Sequence, residues 1–187
     1  MKKRPEVTAQ TRQNLIDSFW SLYCEKRVEK ITVKEITQKA GYNRGTFYEY
    51  FTDIYDVLEQ LEASLIPSLD ELPQFTIQNQ TMGMPLDMLM KIYEKNSKYY
   101  SVLLGDNGDP AFASKLKNSI KPILKKELLK YSKLSPIEFD FLLEYILSAM
   151  IGIMSYWFRN DKELSAEDLI TLIQDLMTNG VTDRLLK

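Results

Sequence analysis

The sequence contains no histidine and only one cysteine, Cys24, among its 187 residues. Histidine is the most frequent general base in enzymes and a common metal ligand. A single cysteine can form neither an internal disulfide nor a metal-spaced cluster, and no glycine-rich loop stands between a strand and a helix. We therefore predict that the protein is not an enzyme and has no catalytic residue, no metal site and no cofactor.

Long apolar runs are also missing. No stretch approaches the ~18 residues that a membrane span requires, and the start, MKKRPEVT, lacks the apolar segment of a signal peptide. Hydrophobic residues make up 44% and charged residues 27% of the chain, which is ordinary for a globular protein. We expect a soluble, cytoplasmic protein with no membrane partner.

The net charge of −2 is unevenly distributed along the chain. Residues 1–55 carry ten lysine and arginine residues against seven acidic ones, whereas residues 56–187 carry fourteen against nineteen. Basic residues thus gather near the N-terminus, notably Lys2, Lys3, Arg4 and Arg12. The surplus is compatible with a polyanionic partner but is weak as a lone signal. Lys2 to Arg4 could equally form a solvated tail or an arm that touches DNA.

Residues 31–51 predict two short helices joined by a tight turn. Thr32 and Glu35 form a capping-box pattern, so a helix should begin at Val33. Gly41 can adopt the left-handed conformation that ends this helix, and Asn43 can cap the next one. This layout is typical of a helix-turn-helix.

The second helix of this pair should bury one side and expose the other. Phe47 and Phe51 stand four residues apart on one face, and the opposite side offers donors and a small residue: Arg44, Gly45, Thr46, Tyr48 and Tyr50. Arginine can contact guanine O6 and N7, and hydroxyl groups suit phosphate oxygens. Gly45 would let the backbone approach a groove wall closely. An ordinary helical hairpin with a solvated face is the alternative.

The segment ITVKEITQKAGYNRGTFYEYF resembles the DNA-binding signature of the tetracycline-repressor-like (TetR) transcriptional regulators. In that family a threonine precedes a short helix, an Ala-Gly turn follows, and the recognition helix ends in Tyr-x-x-Phe, here Tyr48 to Phe51. The resemblance implies that Arg44, Gly45 and Thr46 face the major groove of an operator duplex. It further implies that three residues hold phosphates: Thr32, Tyr48 and Tyr50.

Two positions depart from the family pattern. Tyr50 stands where the family often has histidine, and Ile54 stands where a lysine commonly opens the next helix. The first change keeps a polar donor, but the second removes a positive charge and one expected phosphate contact. A co-regulator of the same fold, acting through a protein partner with little or no DNA binding of its own, therefore stays open beside a DNA-binding regulator.

The fold class predicted is all-α, with an N-terminal three-helix helix-turn-helix domain at residues 1–53. A larger C-terminal helical domain for ligand binding and dimerisation should occupy residues 54–187. Apolar periodicity and punctuation residues predict helices over residues 8–24, 54–69, 85–104, 110–129 with a break or bend at Pro122, 135–159 and 165–180. Residues 71–84 should form a loop.

The last two predicted helices carry apolar residues on more than one face, so one neighbour cannot cover them. Ser148 and Gly152 would allow another helix to approach closely. Two such helices from each of two chains would form a four-helix interface. We therefore predict a homodimer that reads a palindromic operator, because one short recognition helix reads few base pairs.

The family resemblance also implies a small-molecule effector, bound in the C-terminal domain, that controls a repressor. Candidate lining residues are Tyr93, Asn96, Tyr100, Phe112, Leu116, Tyr145 and Met150. Core packing is at least as good an explanation for these aromatic and methionine side chains, and only Asn96 would be awkward in a dry core. Seven lysines between residues 115 and 133 should form a solvated outer face.

Overall fold

The computed structural model describes residues 5–67, 76–78, 81–83, 94–105, 108–160 and 162–186. The chain divides into two compact units, Met1–Leu65 and Ile66–Lys187. The predicted domain boundary after residue 53 lies one helix before this division, and it stays a prediction. Among the helices of the described ranges, none combines the length and apolar character that crossing a membrane requires.

The described residues of the first unit form four α-helices and one short 3-10 turn. Its elements are α1 (Pro5–Tyr23), the 3-10 turn Val28–Lys30, α2 (Val33–Ala40), α3 (Arg44–Tyr48) and α4 (Ile54–Leu65). The helices pack around fully buried side chains, Leu15, Phe19, Ile36, Phe47 and Val57. The predicted starts of α2 and α4 are confirmed, and α1 begins three residues earlier than predicted.

The α4 helix ends at Leu65 rather than near residue 69. Pro67 accounts for this difference, because the residue before a proline is disfavoured in the helical conformation. Ile66 precedes Pro67 and lies outside the helix. The sequence signal was therefore present, but the proline acts one turn earlier than the apolar pattern suggested.

The first described strands of the second unit are an antiparallel pair, β1 (Thr76–Gln78) and β2 (Thr81–Gly83). Thr76 pairs with Gly83 and Gln78 with Thr81. The prediction of a loop over residues 71–84 is wrong for these six residues. The other described elements of this unit are helical, so the all-α class is confirmed.

Two helices follow in the described part of the second unit, α5 (Ser97–Leu103) and α6 (Phe112–Leu128). The first part of the predicted helix from Pro85 lies outside the described residues. The α6 helix begins after a turn in which the Asp109 side chain accepts from the Ala111 amide at 2.9 Å. Pro122 does not break α6. It lies on the exposed side, where water can reach the Asn118 carbonyl that lacks its amide partner.

The last two helices are α7 (Pro136–Arg159) and α8 (Ala166–Leu186). Both begin at the predicted serine caps. Ser135 and Glu138 form a complete capping box, and Ser165 accepts from the Asp168 amide at 3.1 Å. Gly180 has φ 76° and ψ 170°, so the regular helix breaks where it was predicted to end, and the chain then becomes helical again.

Candidate nucleic-acid interface

The α2 helix is fixed at its start by a complete capping box. The Glu35 amide donates to Thr32 Oγ1 at 3.3 Å, and the Thr32 amide donates to Glu35 Oε2 at 3.0 Å. Lys26 contacts the other oxygen of Glu35 at 2.6 Å. Hydrogen bonds from Lys26 and Thr32 hold the pKa of Glu35 below its ordinary value. Lys26 thus neutralises the carboxylate at the start of α2.

The turn between α2 and α3 is set by backbone geometry and one polar cap. Gly41 has φ 75° and ψ 26°, the left-handed region in which a side chain would be strained. Tyr42 then donates its backbone amide to the Thr37 carbonyl at 2.9 Å. Asn43 Oδ1 accepts from the Thr46 amide at 2.8 Å and so caps α3. These contacts give α3 one defined direction.

Aromatic packing holds the inner face of α3. Phe47 is fully buried, and its ring centroid lies 5.5 Å from that of Phe51, which is also buried. Burying two such side chains stabilises the unit by about 1.5–3 kcal/mol each. The opposite face leaves Arg44 and Gly45 exposed, and Tyr48 is 59% exposed. The helix therefore presents a polar, arginine-containing surface over a rigid base.

The six predicted DNA-contacting residues lie within the capped segment, residues 32–50, and they differ in exposure and in hydrogen bonding. Thr46 and Tyr50 are half-buried, and the Tyr50 ring lies 6.4 Å from Phe51. Thr32 is exposed, but its hydroxyl donates to Glu35 Oε2 at 2.8 Å. The roles of all six residues toward DNA stay predictions.

A polar network that the sequence reading missed joins α1 to the start of α4. Arg12 Nη2 donates to Gln60 Oε1 at 2.6 Å, and Gln60 Nε2 donates to Asp56 Oδ1 at 2.9 Å. Asp56 Oδ2 accepts from the Thr52 amide at 2.7 Å. The Thr52 and Gln60 hydrogen bonds, with the charge of Arg12, lower the pKa of Asp56.

Arg12 also lies over the Phe51 ring at 5.6 Å. The network therefore fixes the segment that follows α3. One signal pointed to it, because Arg12 falls at helical spacing with Leu15 and Phe19, on the apolar side of α1.

The predicted ligand-binding residues do not come together in one cavity. Tyr100, Phe112 and Leu116 are fully buried, and the first two rings lie 6.0 Å apart, as in a packed core. Asn96 is half-buried at the start of α5. Tyr93 lies outside the described residues. The ligand-binding role of the set therefore remains a prediction, and its described members lie in different parts of the second unit.

The other two predicted ligand residues, Tyr145 and Met150, line a groove between α7 and α8. The groove has a volume of about 380 Å³ and apolar walls that include Ile153, Ile173 and Leu176. Small-molecule pockets typically have volumes from about 300 to 1,000 Å³. Its size is therefore sufficient for a small apolar molecule.

Part of the predicted lysine face is paired with acids of α7. Lys121 contacts Glu144 at 3.1 Å, Lys125 contacts Asp140 at 2.6 Å, and Lys117 also pairs with Glu144. Hydrogen bonds and charge from Lys117 and Lys121 lower the pKa of Glu144 from 4.5 to about 2. These three lysines of the predicted solvated face are partly exposed, and their ion pairs hold α6 against α7.

Comparison with known families assigns both parts of the chain. Residues 21–61 match the profile for bacterial regulatory proteins of the tetR family. Residues 80–179 match the profile for a transcriptional regulator C-terminal region of the same family. The chain belongs to the TetR family of transcriptional regulators. The family resemblance read from residues 31–51 is confirmed, and the members of this family are transcriptional regulators rather than enzymes.

Individual relatives of this TetR-family chain are distant in sequence. The HTH-type transcriptional regulator SrpR of Pseudomonas putida is 29% identical over 105 residues, covering 55% of this chain and 49% of SrpR. The uncharacterized HTH-type transcriptional regulator YxbF of Bacillus subtilis is 24% identical over 171 residues, covering 87% of this chain and 43% of YxbF. The chain thus spans about half the length of these two relatives.

A solved structure supports the fold of the TetR-family chain along most of its length. A TetR transcriptional regulator from Streptococcus agalactiae superimposes with a TM-score of 0.67 at 23% identity. The superposition covers 91% of this chain and 95% of the other. At this identity the likeness establishes the all-helical fold. The operator and the effector have to be argued from the residues of the chain itself.

Proposed function

We propose that this chain is a ligand-responsive, sequence-specific DNA-binding transcriptional regulator in the cytoplasm, a repressor that acts as a homodimer on a palindromic operator. The observation that carries the proposal is the exposed polar face of α3 over a fixed aromatic base. Arg44 and Tyr48 are exposed, the Tyr48 ring meets the Phe47 ring edge-on at a centroid distance of 5.4 Å, and Asn43 caps the helix at its start. Such a surface suits the major groove of a DNA duplex.

We propose roles toward bases and phosphates for the six residues of the capped segment. Arg44 reads a guanine through O6 and N7, Gly45 allows close approach to the groove wall, and Thr46 lies beside them. Tyr48 and Tyr50 donate their hydroxyl groups to phosphates. Thr32 can do the same only by exchanging Glu35 for a phosphate as the acceptor of its hydroxyl, since that proton is already used.

An apolar stripe on α7 supports the proposed homodimer. Ile137, Phe141, Tyr145 and Tyr156 follow each other at helical spacing and are each at least 66% exposed. Exposed apolar patches of this kind mark interaction sites. Gly152 lies in the same stripe, and a Cβ added there would meet nothing within 4 Å. Two copies would place two recognition helices on half-sites about 34–36 Å apart or a multiple of that.

A small-molecule effector is proposed to control operator binding from the C-terminal part, residues 54–187, while residues 1–53 bind DNA. The effector requires a differential affinity for two dimer geometries, with a coupling free energy of about 1–3 kcal/mol. Tyr145 and Met150 are the predicted ligand residues that line an open groove. Tyr100, Phe112 and Leu116 would need to separate before a ligand could reach them, because they are fully buried.

The proposal is tested by selecting bound sequences from a random duplex library with the purified chain. A variant with Arg44→Ala and Tyr48→Ala serves as the control, since both side chains are exposed and the fold should survive. We expect a palindromic motif that disappears with the variant. A folded dimer that selects no motif at low salt, with or without candidate metabolites, would instead favour a co-regulator that acts through a protein partner.

A further inference from the structure

Tyr42 is a polar residue of the turn that the assignments above do not use. It lies between Gly41 and the Asn43 cap, two residues before Arg44, and it is half-exposed. Its hydroxyl oxygen accepts a hydrogen bond from Asn14 Nδ2 of α1 at 3.0 Å. Asn14 is also half-exposed, so this bond lies at the surface of the first unit.

A second hydrogen bond on α1 agrees with this direction. Gln10 Nε2 donates to Asn14 Oδ1 at 2.8 Å, which turns the Asn14 carbonyl toward Gln10 and its amide nitrogen toward Tyr42. An amide nitrogen can only donate, so Tyr42 must act as the acceptor. The Tyr42 hydroxyl proton therefore points elsewhere, and the described part of the chain offers no acceptor for it.

A donor held in this way beside a recognition helix suits a phosphate oxygen. Phosphate groups are acceptors only, and neutral hydroxyl donors contribute to fixing the register of a protein on the duplex. Tyr42 lies outside α3, in the turn that precedes it, rather than on the face that carries Arg44. Only a residue on the helix inserted into the groove can reach a base edge. A residue beside that helix is placed to reach the phosphates that line the groove.

We propose that Tyr42 is a further DNA-binding residue that donates its hydroxyl hydrogen bond to a backbone phosphate. Asn14 is its positioning residue, because it occupies the oxygen lone pair and directs the proton outward. This inference rests on the proposed DNA-binding function. The competing explanation is structural, namely that the Asn14–Tyr42 hydrogen bond only ties the turn to α1.

The two explanations predict opposite orders of affinity for two variants of Asn14. Asn14→Asp can keep the internal hydrogen bond only if Tyr42 becomes the donor, because a carboxylate can only accept. The tyrosine hydroxyl then no longer has a proton to donate to DNA. Asn14→Ala loses the internal bond but leaves the proton available. If Tyr42 contacts a phosphate, Asn14→Asp binds DNA more weakly than Asn14→Ala, by about fivefold or more. If the bond is only structural, Asn14→Asp binds more tightly than Asn14→Ala.

The added negative charge of Asn14→Asp needs a matched control. Gln13→Glu adds the same charge one residue away, on an exposed side chain that contacts Asp17 rather than Tyr42. We expect it to bind much more tightly than Asn14→Asp. Equal losses for the two variants would mean that charge alone weakens binding, and that result would overturn the assignment of Asn14.

Tyr42→Phe tests the hydroxyl directly, using a duplex that carries the sequence selected by the wild-type chain. We expect about tenfold weaker binding per half-site, with the base preference retained. The salt dependence should not change, because a neutral hydroxyl releases no counterion. Thermal melting of all variants, followed by circular dichroism, separates loss of fold from loss of contact.

The phosphate itself is identified by placing single neutral methylphosphonates along the same duplex. The wild-type chain should lose affinity at one position per half-site where Tyr42→Phe loses none. A changed base preference in Tyr42→Phe would overturn the phosphate assignment. Wild-type affinity in Tyr42→Phe would overturn this inference alone, whereas a wild-type chain that binds no duplex overturns the proposed function as well.

Discussion

Single side chains decide the conformation of the recognition segment. Thr32 and Asn43 each satisfy a backbone amide at a helix start, at 3.3 and 2.8 Å. Gly41 supplies the left-handed residue between the two helices. Because such contacts reach over only three or four residues, they leave the Arg44 side chain exposed, while the Tyr48 ring packs edge-on against Phe47. Substitution of a single residue on α3 can therefore test base reading.

We predict that Arg44→Ala weakens operator binding by about 1–3 kcal/mol and relaxes the preference at one base pair of each half-site. The reason is the loss of two hydrogen bonds to a guanine. Binding titrations against operator variants measure both effects. Arg44→Lys keeps the charge and should still relax the preference, since lysine lacks the planar fork. An unchanged sequence preference in Arg44→Ala would exclude Arg44 from base reading.

At the scale of elements, pairs of helices are joined by polar contacts between residues far apart in sequence. Arg12, Gln60 and Asp56 tie α1 to α4 and hold the Thr52 amide after α3. Lysines of α6 meet Glu144 and Asp140 of α7 in the second unit. These contacts set the positions of elements that caps alone leave undefined.

We predict that Arg12→Met lowers the free energy of unfolding by about 1.5 kcal/mol, because a charged hydrogen bond to Gln60 is lost. Urea denaturation measures this change. DNA binding should weaken too, since the segment after α3 loses its attachment. Arg27→Met is the matched control, because it removes the same charge from an exposed site, and it should leave stability nearly unchanged. Equal effects of the two substitutions would contradict the role given to the network.

The Glu144 carboxylate should make stability depend on pH. Its pKa is lowered from 4.5 to about 2 in the folded chain, so its ion pairs stabilise the protein above the unfolded value. That stabilisation should be lost as pH falls from about 4.5 toward 2. We expect the melting temperature of Glu144→Gln to be lower near neutral pH and to fall less steeply through this range. Parallel melting curves against pH would show that the lysines do not hold Glu144 in solution.

On the scale of the whole molecule, the apolar stripe of α7 stays exposed in a single chain. Phe141 is 74% exposed on a helix whose other side is buried through Phe139, Leu143 and Leu147. A helix with apolar residues on both sides requires a second neighbour. A second copy of the chain would supply it and would place two recognition segments on one duplex.

We predict that Phe141→Glu weakens self-association by about tenfold or more, since an unpaired charge would enter an apolar interface. Sedimentation equilibrium over a range of protein concentrations measures the dimer dissociation constant. Asn118→Glu places the same charge on an exposed site of α6 and should not change it. If both variants associate like the wild type, the α7 stripe is not the dimer interface.

The sequence by itself determined the helix starts at Val33, Arg44 and Pro136, the glycine turn, the buried Phe47 and Phe51, and the family. These features follow from contacts within a few residues and from the helical period, which the chain carries locally. It did not determine where Pro122 lies relative to solvent, that Thr76–Gln78 pairs with Thr81–Gly83, or which lysines meet Glu144.

Only the tertiary structure decided that Tyr145 and Met150 line a groove while Tyr100, Phe112 and Leu116 fill a core. It also decided that Arg12 donates to Gln60 and that Asn14 donates to the Tyr42 hydroxyl. These outcomes depend on how helices distant in sequence pack against each other. An apolar side chain has the same periodicity whether it faces a neighbour or a cavity, and a polar one does not name its partner in advance.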